Sequence, residues 1–132
     1  FGLPDDTQET MEQTLALACR LNTEMANFYC AMGYPGSPLH AQVSRDNPVA
    51  LPENNDCGWI GYSQHAYESL PLPTETLTAQ QVLDFRDEAW MHYFTRPVYL
   101  DMMRCTFGEC VVQDIEQMTA RGKPRRKHRE ER

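Results

Sequence analysis

The opening stretch, Phe1-Gly2-Leu3-Pro4-Asp5-Asp6-Thr7, constrains the fold more than any other part of the chain. Phe1 and Leu3 are apolar around a glycine, and Pro4, lacking an N–H for a ladder, ends any strand. Asp6 or Thr7 then offers a side-chain oxygen to the free N–H groups of a helix start. Glu9, three residues after Asp6, completes a capping box. The helix runs to about Leu21, and a new apolar run extends from Met25 to Met32. Strand end, helix, strand is the order of a parallel sheet or barrel. A parallel strand is buried on both faces and needs neighbours. The expectation is an α/β piece of a larger protein, cut inside a strand; the alternative is a mature chain cut after a removed leader.

Helical spacing puts Met11, Leu15, Ala18 and Cys19 on one face, widened by Leu17 and Leu21, as in a helix that covers a sheet. Asn22 stands where a C-cap belongs. From Met25 to Met32 the side chains alternate: Ala26, Phe28, Cys30 and Met32 on one face, Met25, Asn27, Tyr29 and Ala31 on the other. In a barrel the apolar face meets the helices and the other faces the lumen. Asn27 and Tyr29 then point inward, toward structural neighbours or a ligand. Pro35-Gly36 suits the centre of a type II turn. It lies past the C-terminal end of the strand, where α/β folds place their sites. Tyr34 and Ser37 become pocket candidates there; plain turn chemistry is the alternative.

Residues 44–58 read as a long polar loop. Tyr62-Ser63-Gln64-His65-Ala66-Tyr67 gathers aromatics, an amide and a histidine, the densest chemistry in the chain. His65 suits a proton, a metal or a substrate group, or ordinary packing. Leu70-Pro71-Leu72-Pro73-Thr74 is an extended connector. Thr78 and Gln81 form a capping box, and Leu77 with Val82 a hydrophobic staple. Val82, Phe85, Ala89 and Tyr93, beside Trp90, form a buried stripe; Asp84, Asp87 and Glu88 form a solvated face. Pro97 stops that helix and opens another to about Phe107. Gly108 breaks it, and a last helix to about Met118 buries Val111, Val112, Ile115 and Met118.

Five cysteines at scattered positions (Cys19, Cys30, Cys57, Cys105 and Cys110) argue for free thiols in a reducing, cytoplasmic setting. None has the spacing of a metal knuckle. No apolar run approaches the ~20 residues of a membrane span. The net charge of −7 divides unevenly: residues 121–132 carry seven of the twelve Lys and Arg with two Glu, a +5 tail against −12 elsewhere. The tail reads as disordered and solubilising. It has no aromatic residue for base stacking, and no nucleic-acid partner is expected. GxGxxG, Walker, GxSxG and HExxH motifs do not occur.

Gly2-Leu3-Pro4-Asp5-Asp6-Thr7-Gln8-Glu9-Thr10, with Asn27-Phe28-Tyr29 and Gly33-Tyr34-Pro35-Gly36-Ser37-Pro38-Leu39, resembles the radical SAM superfamily, where "GLPGET" opens a helix and "YPGTPL" follows the next strand. Gly61-Tyr62-Ser63-Gln64, Pro71-Leu72-Pro73-Thr74 and Arg86-Asp87-Glu88-Ala89 look like the C-terminal region of its cobalamin-binding members. Two departures stand out. Asp5 replaces the usual glycine of the turn, and the Cys-x3-Cys-x2-Cys motif that holds the cluster is absent from the chain.

The resemblance implies an α/β fragment: the last strand-helix-strand of a partial (β/α) barrel (1–43), a loop and extended connector (44–77), a mainly helical C-terminal region (78–120) and the basic tail (121–132). The parent enzyme would use S-adenosylmethionine, a 4Fe-4S cluster and, in that subgroup, cobalamin for radical methylation or cyclisation. None of these is ligated by this piece, which would be inactive by itself. Its partners would be the upstream barrel and cobalamin domain of its own polypeptide and a small-molecule substrate. Asn27 and Tyr29 would line the lumen, Tyr34, Pro35, Gly36 and Ser37 the mouth, and Tyr62, His65 and Tyr67 the substrate side of a cover. A different class of function, a small helical module that binds a protein through the aromatic patch at 59–67, is the alternative.

Overall fold

A computed structural model describes residues 1–121, and among these the architecture is helical throughout, with no strand and no sheet. Five α-helices follow one another: α1 Gln8–Leu21, α2 Pro38–Asp46, α3 Ala79–Thr95, α4 Pro97–Phe107 and α5 Glu109–Arg121. Three short 3-10 turns, Pro48–Ala50, Pro52–Asn54 and Gly58–Tyr62, lie between α2 and α3. The expected α/β fragment is therefore corrected to an all-helical fold.

The reason lies at the edges of residues 27–33, which are extended but not laddered. The Phe1 amino group donates to the Tyr29 carbonyl (2.8 Å), and the Ala31 N–H donates to the Phe1 carbonyl (2.7 Å). That exchange ends at once, because the Leu3 N–H turns to the Asp6 carboxylate (3.0 Å). The Leu72 N–H meets the Ala31 carbonyl (3.4 Å), and the opposite edge is met by side chains. Single groups satisfy the backbone here, so no second strand forms.

Helix α1 starts one residue later in register than the Asp6–Glu9 box implies. Thr7 is the N-cap, and its hydroxyl and that of Thr10 satisfy each other's backbone N–H groups. Asp6 is used differently: its carboxylate accepts from the N–H groups of Gly2 and Leu3 and from the Thr10 hydroxyl. Burial would raise its pKa. Those three donors and the nearby terminal amine outweigh burial and hold it below the ordinary value. Gly2 has φ +81°, and a Cβ there would sit 2.5 Å from a Val82 methyl, so this turn needs glycine. Asn22 ends α1 in the left-handed conformation.

Helix α3 is the axis of the molecule. Val82, Leu83, Phe85, Arg86, Ala89, Trp90, Tyr93 and Phe94 are all buried, so α3 is covered on most of its surface. One cluster joins Phe28, Trp90, Tyr93, Phe94, Tyr99, Met103, Val112 and Ile115, bringing α3, α4 and α5 together over the extended segment. A second joins Cys30, Met32, Tyr62, Val82 and Leu83. Helix α1 lays Met11 and Leu15 against Phe85 and Ala89, covering a helix and not a sheet. Arg96 fastens its end: the guanidinium donates to the Cys19 carbonyl and the Asn22 side chain, both at 2.8 Å, and lies over the Tyr93 ring.

Other expectations shift in register. Leu17 and Leu21 are exposed and do not widen the packed face of α1. Residues 44–58 are not one loop: Ser37 caps α2 with Pro38 in its first turn, and two 3-10 turns follow. Met118 is exposed, and Thr119 is buried in its place. The basic tail begins with Arg121 on α5; its remaining residues, 122–132, lie outside the described residues.

Met11 is fully buried and Leu17 is 46% exposed. M11A should therefore lower unfolding stability by about 2–4 kcal/mol, and L17A should change it by under about 0.5 kcal/mol, as read by urea denaturation.

Candidate functional site

Alternation of side chains along residues 25–32 gives the site its floor. Phe28, Cys30 and Met32 are buried against α3, which leaves Met25, Asn27 and Tyr29 exposed on the other side. The segment runs into the turn Tyr34-Pro35-Gly36-Ser37, closed by the Ser37 N–H to the Tyr34 carbonyl (3.0 Å), with Gly36 at φ +86°.

Gln64 holds this floor in place. Its amide accepts from the Cys30 N–H and donates to the Cys30 carbonyl, each at 2.9 Å, as a neighbouring strand would. The same nitrogen lies 3.3 Å from the Tyr34 hydroxyl. Beneath it, the fully buried Arg86 donates to the Gln64 carbonyl (3.0 Å) and the Phe28 carbonyl (3.5 Å), with Asp87 at 2.9 Å from its Nε. Asp87 is therefore an ion-pair partner, not part of a solvated face.

Above the floor, aromatic rings form two sets of contacts. Tyr34 and Tyr62 meet at 5.6 Å between ring centres, Tyr62 and Trp59 at 6.0 Å, and Tyr29 and His65 edge to face at 5.8 Å. Tyr34 also donates to the Tyr62 carbonyl (3.3 Å). Trp59, Tyr67, Tyr29 and Tyr34 are each close to half exposed or more, whereas Tyr62 is buried. A polar chain braces Tyr62 from below. Its hydroxyl donates to Glu53 (2.5 Å), Glu53 meets His40 Nε2 (2.8 Å), and His40 Nδ1 lies 3.5 Å from the Ser44 hydroxyl. Burial would raise the Glu53 pKa. The hydrogen bonds from Tyr62 and His40, its own backbone N–H and the imidazole charge outweigh that and lower it. Burial first, then the hydrogen bond to Glu53 and its charge, push the Tyr62 phenol above its ordinary value.

The expected site residues thus separate. Tyr29 pairs with His65, and Tyr34 packs on the buried Tyr62, as two separate contacts. Asn27 and Tyr67 are exposed, Pro35 and Gly36 shape the turn, and Ser37 is committed to capping α2 through the His40 N–H. Sequence did not single out Glu53 or His40; Trp59 and Gln64 entered only within the 59–67 patch, and Arg86 only within Arg86-Asp87-Glu88-Ala89. The signal for Arg86 was present: it falls within the apolar stripe of Val82, Phe85 and Ala89. Gln64 and the His40–Glu53 pair depend on contacts 34 and 13 residues apart, which no local pattern encodes.

No group of three or more His, Cys, Asp or Glu that would hold a metal lies among the described residues. No disulfide joins the cysteines among the described residues, with Cys30 and Cys57 buried and Cys105 and Cys110 exposed. The described residues do not fit an iron–sulfur cluster. Among the described residues no helix is long and apolar enough to cross a membrane.

Q64L removes both partners of the Cys30 backbone, at about 1–3 kcal/mol for each group left buried without one; amide exchange at Cys30 should quicken with the loss of stability. The lowered carboxylates set an acid dependence. A folded-state pKa below the unfolded one contributes stability that is complete above the unfolded value and disappears as pH falls through the folded one. Denaturation across the acid range should show wild-type stability falling there, and D6N and E53Q should each flatten that fall.

No protein-family profile, curated protein or solved structure matches the chain.

Proposed function

We propose that this chain works as a portion of a radical SAM enzyme, presenting Tyr29, Tyr34 and His65 toward the substrate, with Tyr34 seated on the buried Tyr62. The observation that supports the reading is the placement of the residues that carry the resemblance. Gly2 and Asp6 form the tight turn against Val82. Gly33 packs against Leu51, Leu72 and the backbone of His40. Gly61 packs against Pro52 and Cys57, Gln64 clasps Cys30, and Arg86 joins Gln64 to Phe28. Stretches far apart in sequence therefore meet in one packed bracket, which is what a shared positioning task requires.

On this reading the cluster and the cleavage of S-adenosylmethionine belong to residues outside this chain. The chain's own contribution is to position: buried Arg86 and Gln64 fix the floor, and the exposed rings offer flat, partly apolar contact with a polar rim.

The test is chemical. The polypeptide that carries this chain in its source, purified without oxygen and given S-adenosylmethionine and a reductant, should release 5′-deoxyadenosine, the product of reductive cleavage in this class. The same incubation yielding none, from a preparation with no iron–sulfur absorbance after reconstitution, would falsify the reading.

A further inference from the structure

We propose that Tyr62 is a redox-active tyrosine: a one-electron oxidant draws its electron through Trp59, while its phenolic proton passes to Glu53. This goes beyond the proposed function and does not depend on it.

The hydrogen bonds distinguish this phenol. The Tyr62 hydroxyl donates to a carboxylate oxygen of Glu53 (2.5 Å). Tyr34, Tyr93 and Tyr99 donate instead to backbone carbonyls, which are too weakly basic to take a proton. A base already within hydrogen-bond reach is what proton transfer requires. The other oxygen of Glu53 meets His40 Nε2 (2.8 Å), and its donors keep the carboxylate ionised. Burial, then the hydrogen bond to Glu53 and its charge, raise the phenol above its ordinary pKa. Reduced Tyr62 therefore keeps its proton at neutral pH. Loss of an electron makes a phenol strongly acidic, so the proton leaves only with oxidation.

The electron has a separate exit. Trp59 packs on Tyr62 at 6.0 Å between ring centres and is 68% exposed, whereas Tyr62 is 8% exposed. An oxidant in solution thus meets the indole and not the phenol. The indole gives up one electron. Its radical cation is then refilled by an electron from Tyr62, as the O–H bond breaks and the proton joins Glu53. Trp59 is restored. The products are a neutral phenoxyl radical, a neutral Glu53 carboxyl and the oxidant reduced by one electron. Burial keeps that radical from coupling with a second molecule, so the oxidising equivalent is held.

The experiment oxidises the full chain with a flash-excited ruthenium tris-bipyridine complex, persulfate serving as its electron acceptor. Electron paramagnetic resonance and transient absorption follow the radical, and circular dichroism checks the folding of each variant. Y62F and W59F keep an aromatic ring in place. Wild type should give a long-lived phenoxyl radical that Y34F retains and Y62F loses. W59F should lower its yield, and E53Q should slow its formation about tenfold or more. Heavy water should slow the same step in wild type, which tests the proton transfer even if E53Q does not fold. No long-lived radical in wild type, one undiminished in folded Y62F or W59F, or a rate unchanged in folded E53Q or in heavy water would each overturn the proposal.

Discussion

Cys30 sits in an extended segment with no strand beside it, and its backbone N–H and carbonyl are both met by the Gln64 side chain. Much of the remaining structure depends on that clasp. A buried peptide group without a partner costs on the order of 1–3 kcal/mol, so residues 28–31 stay extended only because single groups stand in for neighbouring strands. Phe1 and Leu72 serve one edge, Gln64 and Arg86 the other. Once the segment is fixed, its alternation decides everything around it. Phe28, Cys30 and Met32 seal against α3, and Asn27 and Tyr29 are turned outward.

Arg86 is the costliest component of this arrangement. A fully buried guanidinium needs compensation for lost hydration. It receives two carbonyls and the Asp87 carboxylate. In return it ties the middle of α3 to both the extended segment and the 62–67 turn, three parts that hydrophobic contact by itself would allow to slide. Arg96 repeats the device at the far end of α3, where it gathers the last turn of α1. Between them the two arginines align α1, α3 and the extended segment.

The parts of the fold legible in sequence were those with local causes. The Thr78–Gln81 box, the Pro97 start and Gly108 break of α4, and the left-handed Asn22 all follow from side chains acting within a turn of themselves. The alternation of residues 25–32 was equally visible, because period two needs no knowledge of the partner. What alternation does not contain is the partner, and the inference from extended segment to parallel sheet failed there: a side-chain amide and a guanidinium can cover an edge as a strand does. Helix α2 was overlooked for a related reason. Ser37 and Pro38 signal its start, but its residues are mostly exposed and polar, so the apolar period that marks a helix is weak.

The same logic explains why the candidate site was only half legible. Tyr29, Tyr34, Tyr62 and His65 announce themselves as aromatics and a histidine. The residues that fix Tyr34 and Tyr62, Gln64 and Glu53, are polar residues whose partners lie far along the chain. Glu53 gains its role only when the 3-10 turn at Pro52–Asn54 places its two oxygens between His40 and Tyr62. Its charge is then fixed by donors on both sides, and the ring above it is fixed by that charge. Tyr62, braced by that carboxylate, in turn seats the Tyr34 and Trp59 rings packed on it. The placement of Tyr62 thus traces back to one polar chain, from Ser44 through His40 and Glu53.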